Sequence, residues 1–154
     1  MKYEILEHTG DAKIRVFGKT KEELFLHALL GMNEILKPKV SAQGESASGG
    51  KSPASAKASA GRQKSKARKI TLQSTDINAL LVDFLSEVNY LRLVSMDIYN
   101  DIKFTKFSDV ELEGELNGYE VEEFGEDIKA VTFHELDIKK NKEGFWETVV
   151  IFDI

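Results

Sequence analysis

The chain has 154 residues, 42% of them apolar, no cysteine and a formal net charge of −5. That length suits one domain, able to bury roughly two-thirds of its unfolded surface. The absence of thiols excludes disulfides, thiol catalysis and cysteine-bound zinc. No stretch has the apolar length of a signal peptide or a membrane span, so a cytoplasmic protein is expected.

Tyr3, Ile5 and Leu6 suggest a first strand, and Gly10 supplies a turn beside Asp11. Ala12, Ile14 and Val16 then alternate with Lys13, Arg15 and Phe17, the period-two pattern of a half-buried strand ended by Gly18. Thr20 and Glu23 form a capping box, in which each side chain satisfies a backbone amide of the other's turn. The helix behind it carries Leu24, Phe25, Ala28, Leu29, Met32, Ile35 and Leu36 at helical spacing and stops before Pro38.

Residues 41–68 have a different composition. Ser, Ala and Gly fill 18 of the 28 positions and no large apolar residue occurs among them, so the segment cannot bury enough surface to offset its ordering entropy. It is expected to be a flexible loop inserted into a single domain spanning 1–154. Its six cations (Lys51, Lys57, Arg62, Lys64, Lys66 and Arg68) face one anion, Glu45, which gives +5 and leaves −10 for the remainder. An acidic body repels phosphate backbones and favours a basic protein partner. The loop itself reads either as a solvated spacer or as a basic arm touching RNA.

After the loop, Ile70 and Leu72 suggest a short strand, and Ser74-Thr75-Asp76 offers caps to a second helix with an apolar face of Leu80, Leu81, Phe84, Leu85, Val88 and Leu91. The rest reads as strands: Ile98 to Phe104 as one ribbon, Val110 to Glu113 as the next with a turn near Asn117-Gly118, and Lys129 to Leu136 as a long strand. Asn141 to Gly144 then turns the chain into a last strand, Phe145 to Phe152, forming a hairpin with the one before. This order predicts an α+β fold, two helices packed on a largely antiparallel sheet.

No phosphate-binding glycine loop, dinucleotide fingerprint or nucleophile elbow is present. His8, His27 and His134 lack a zinc-ligand spacing, and His27 reads as a packed helix residue. A self-contained enzyme is therefore disfavoured. What remains is a set of acids: Asp11 beside the first turn, Asp153 near the chain end, and the α-carboxylate of Ile154. If the first, second and last strands lie together, these oxygens converge. They are then either simply solvated or part of a shell for a hard cation, Ca²⁺, Mg²⁺ or Mn²⁺.

Several segments together resemble the archease family: Tyr3 to Asp11 running on through Ile14-Arg15-Val16-Phe17-Gly18, Glu22-Glu23-Leu24-Phe25, Leu80 to Glu87, Lys129 to Leu136, and the ending Val150-Ile151-Phe152-Asp153-Ile154. The resemblance covers nearly the whole chain outside 38–69. It implies a non-catalytic protein that activates the GTP- and manganese-dependent RNA-splicing tRNA ligase, promoting its guanylylation and multiple turnover and meeting tRNA only through the ligase. It also implies a divalent-cation site, assigned to calcium, at Asp11, Asp153 and the carboxylate end of Ile154. Two features depart from the family pattern. Gly10 and Ala12-Lys13 stand where alanine and Ile-Gly are more usual, which puts a cation beside the acids, and the connection at 41–68 is short in a typical member.

Four further residues have two readings each. His8 either orients Asp11 or contacts the partner, or else simply makes a hairpin hydrogen bond. Lys129, His134 and Glu135 form either a ligase-facing patch or ordinary strand positions, with Lys129 and Glu135 on one face and His134 on the other. Rival functions are a general protein chaperone, a direct RNA binder using the 41–68 arm, and a stand-alone metal enzyme.

Overall fold

The computed structural model describes residues 1–8, 10–40 and 65–154, the side chains of Glu7 and His8 excepted. Strands β1 (Tyr3–His8) and β2 (Asp11–Gly18) lead into helix α1 (Lys21–Leu36) and the two-residue β3 (Pro38–Lys39). Then come β4 (Ser65–Gln73), α2 (Ile77–Ser95), β5 (Asp97–Phe107), β6 (Glu111–Glu120), β7 (Glu123–Phe124), β8 (Ala130–Thr132), β9 (Lys139–Lys140) and β10 (Trp146–Asp153). Every strand pairing among the described residues is antiparallel. The α+β expectation holds, with the strands divided into a sheet ordered β1-β2-β10-β8, with β9 also on β10, a second sheet ordered β4-β6-β5, and the pair β3-β7.

Local chemistry sets both helix starts. The Glu23 amide donates to Thr20 Oγ1 at 3.1 Å while the Glu23 carboxylate accepts from the Lys19 amide at 2.7 Å. Asp76 caps α2 by accepting from the Ala79 amide at 2.8 Å. The α1 helix stops at Lys37, which turns left-handed (φ 50°) just before Pro38.

The core lies between the helices and the inner faces of the two main sheets. On β2 the inner positions are Ala12, Ile14 and Val16, which meet Phe152, Val150 and Thr148 of β10. Phe25 of α1 packs against Phe84 of α2 (5.6 Å between centroids) and edge-on to Phe107 of β5 (5.1 Å), so one ring joins both helices to the second sheet. Such aromatic pairs add ~0.5–1.5 kcal/mol beyond their burial.

Four expectations need correction. Of the insertion expected at 41–68, residues 41–64 lie outside the described residues, but Ser65–Arg68 belong to β4 and pair with Leu116–Tyr119. Asn117-Gly118 is no turn: it sits inside β6, hydrogen-bonded to strands on both sides, and the β5–β6 turn falls at Ser108–Val110. The long strand expected over Lys129–Leu136 is only Ala130–Thr132. Glu135 takes φ 63° and the Leu136 amide donates to Phe133 O, which folds Phe133–Leu136 into a turn. The hairpin partner of β10 is consequently β9, across the Asn141–Gly144 turn, while β8 pairs with the far end of β10.

Candidate functional site

The outward face of the first sheet holds the acids singled out from the sequence. Alternation along β2 buries Ala12, Ile14 and Val16 and turns Asp11, Lys13 and Arg15 outward. On β10 the same alternation turns Asp153 outward, and the register sets Asp153 directly opposite Asp11. Residues directly opposite on one face of an antiparallel pair hold their Cβ atoms ~4.5–5.5 Å apart, and two like charges there repel. Both carboxylates are exposed. Asp153 is further fixed by the Lys129 amide, which donates to its carbonyl at 2.7 Å. Ile154 follows, half-buried and packed against the core, so the main chain beyond Asp153 is held beside the start of β2.

The sequence reading thus brings Asp11, Asp153 and Ile154 to one sheet end. Strand alternation leaves Lys13 on the same face as Asp11, but its ammonium is bound to Glu135 at 3.3 Å. Arg15 lies between Glu4 at 3.5 Å and Glu147 at 3.3 Å. Among the described residues no three His, Asp or Glu side chains gather as a metal-binding group. The two carboxylates of Asp11 and Asp153 are fewer than the six to eight oxygens a hard cation takes, so any such ion would need further oxygens from main chain, water or a partner.

The partner-facing candidates fare differently. Lys129 is exposed beside β8. His134 is 76% exposed at the tip of the Phe133–Leu136 turn, 3.9 Å from the Glu135 carboxylate. Because that turn ends the strand, the expected split of Glu135 and His134 between two faces does not hold. The His8 side chain lies outside the described residues. The buried His27 donates from Nδ1 to Phe17 O at 2.7 Å, a packing role as expected. Glu4, Arg15, Glu147 and the exposed Phe133 escaped the sequence reading. The outward alternation of β2 was the signal for Arg15, whereas Phe133 required knowledge of the turn.

The chain is thus a two-helix α+β domain that presents opposed, exposed carboxylates on the outward face of its first sheet. Residues 3–154 match the model of the Archease protein family, and the chain belongs to that family. It is 31% identical to the archease of Methanosarcina barkeri, over 99% of this chain and 95% of that one. It is 32% identical to the Methanosarcina acetivorans archease, over 99% and 96%. Two solved structures share the fold. The Methanobacterium thermoautotrophicum protein 1598 has TM-score 0.63 at 23% identity, over 99% and 98% of the chains. An archease, possible chaperone, from Thermotoga maritima has TM-score 0.64 at 17% identity, over 97% and 94%.

Proposed function

We propose that this archease is a non-catalytic activator of the GTP- and manganese-dependent RNA-splicing tRNA ligase in the cytoplasm, promoting its guanylylation and repeated turnover. The observation that carries the reading is the registered opposition of Asp11 and Asp153 at the sheet end, joined to family membership. Two opposed carboxylates and a main-chain oxygen of Ile154 form a hard donor set suited to calcium, or to magnesium or manganese. A divalent ion held there would supply charge neutralisation of the kind nucleotidyl transfer needs. The chain's own part is to dock this end at the ligase's nucleotide site and set the position of the two carboxylates. Lys129, His134 and Glu135 border the docking end, and tRNA is met only through the ligase.

Two measurements test this. Calorimetric titration with calcium alone should show binding that Asp153→Ala removes. In a multiple-turnover ligation assay, Asp11→Ala and Asp153→Ala should each abolish stimulation, and full stimulation by both ends the proposal. The description of the Thermotoga maritima relative as a possible chaperone favours a second reading, a general chaperone. It predicts that unrelated clients are protected from aggregation and that Asp11 is dispensable.

A further inference from the structure

Helix α2 is apolar on more than its core side. Leu80, Leu81, Phe84, Leu85, Val88 and Leu91 are buried, yet Tyr90, Leu93 and Val94 are 57%, 55% and 58% exposed, and Met96 follows at 37%. Tyr90, Leu93 and Val94 stand at i, i+3 and i+4 and so form one surface. Most other exposed large apolar side chains are scattered singly, which is ordinary, but this group is continuous. The same helix stripe runs back through Glu87 and Asp83, at i−3 and i−7 from Tyr90. Arg68, which donates to Ser95 Oγ at 3.5 Å, lies along one edge, and the exposed Asp127 lies on the other side, bound to the buried Arg92. The face thus carries the half-buried acids Asp83 and Glu87 at one end, with Asp83 accepting from Ser74 Oγ and Arg68 near Glu87, and apolar side chains at the other.

Charge and area together select what covers it. Outside residues 41–64, which carry four cations and one anion, the chain has a net charge of −8. A second copy would bring the same negative field against it. Four side chains at 37–58% exposure make a patch well short of the about 800 Å² that each partner buries in a standard interface, so a two-fold seam built on them alone falls short. As the apolar centre of a larger contact with an oppositely charged protein they suffice, since a few central side chains carry most of the binding energy. An enzyme that handles RNA must present cationic surface to neutralise phosphates.

We infer that the Glu87–Tyr90–Leu93–Val94 face of α2 is a docking surface for a cationic, apolar-centred surface of the RNA ligase, separate from the Asp11–Asp153 end. The inference rests on the ligase reading above. The test is biolayer interferometry of the purified full-length chain against the purified ligase at two salt concentrations. Leu93→Glu should weaken Kd tenfold or more with unchanged circular dichroism and Tm, as expected at an exposed site. Glu87→Lys should also weaken it and flatten its salt dependence. Wild-type affinity in Leu93→Glu overturns the inference and leaves the ligase reading standing. No binding by the unaltered chain overturns the ligase reading and the inference with it. A concentration-dependent dimer abolished by Leu93→Glu makes a second copy the occupant and overturns the inference too.

Discussion

Asp11 and Asp153 stand directly opposite each other on the outward face of the β2–β10 ladder, and the nearby Lys13 ammonium is bound to Glu135. Like charges so placed cost stability, by ~0.2–1 kcal/mol in cross-strand pairs. Asp11→Asn should therefore raise Tm slightly in calcium-free buffer. A ligand bound only by the folded state stabilises it by RT ln(1 + [L]/Kd). Calcium should accordingly raise the Tm of the unaltered chain, and Asp11→Asn should lose most of that rise. Melting curves with and without calcium check both signs. An equal calcium shift in the two proteins would remove Asp11 from the donor set.

Gly118 and Gly10 predict opposite responses to alanine. A Cβ on Gly118 would fall 1.8 Å from Ile98 O and 2.7 Å from Tyr99 Cα, so β5 could not keep its register with β6. Gly118→Ala should cost about 3 kcal/mol, the upper range for overpacking. A Cβ on Gly10 meets nothing within 4 Å, and Gly10→Ala should stay within ~0.5 kcal/mol. Urea unfolding midpoints of the two variants make the comparison.

These glycines also show where the sequence was legible. An Asn-Gly pair is a strong hairpin signal, but here Gly118 provides the close backbone approach beside the Tyr99–Asp101 irregularity, which depends on a neighbouring strand. Both helices were readable because their caps are local hydrogen bonds within four residues. The start of β4 was not: Ser65, Lys66 and Arg68 are polar, Ala67 is small and exposed, and pairing with β6 and not burial defines them as strand. At the site, the meeting of Asp11 with Asp153 followed from strand order. The Lys13–Glu135 bond did not, because it depends on a turn at Glu135 that alternation misread as strand.

Arg92 ties α2 to the segment before β8. Buried to 4% exposure, it donates to Asn89 Oδ1 at 2.9 and 2.7 Å, to Ile128 O at 3.3 Å and to Asp127 at 3.1 Å, and it lies over the Phe124 ring. Asp127 is solvated and loses little when the arginine goes, and Ile128 O keeps the Asn89 Nδ2 donor at 3.0 Å, so the cost comes from the buried Asn89 Oδ1 left without a donor and from the lost packing of the arginine stem. Arg92→Ala should lose ~2–4 kcal/mol. Arg92→Lys, which keeps the charge but not the forked geometry, should recover under half of it. Chemical denaturation of the three proteins decides this.

Tyr3 couples the edge strand β1 to α1 by donating its hydroxyl proton to Glu34. Partial burial, then the hydrogen bond and the charge of Glu34, push its pKa from 10.0 up to about 12. The folded state thus holds this proton more tightly than the unfolded chain does. The resulting stability is complete below pH 10 and falls as pH rises from 10 to 12. Tyr3→Phe should be less stable than the unaltered chain at pH 9 by about 1 kcal/mol, a figure reduced for solvent screening. That gap should shrink at pH 11 and close by pH 12. Urea midpoints at the three pH values give the gap, and phenolate absorbance follows the titration. No gap at pH 9 would mean that Tyr3 acts through its ring, which Tyr3→Phe keeps, and not through its hydroxyl proton.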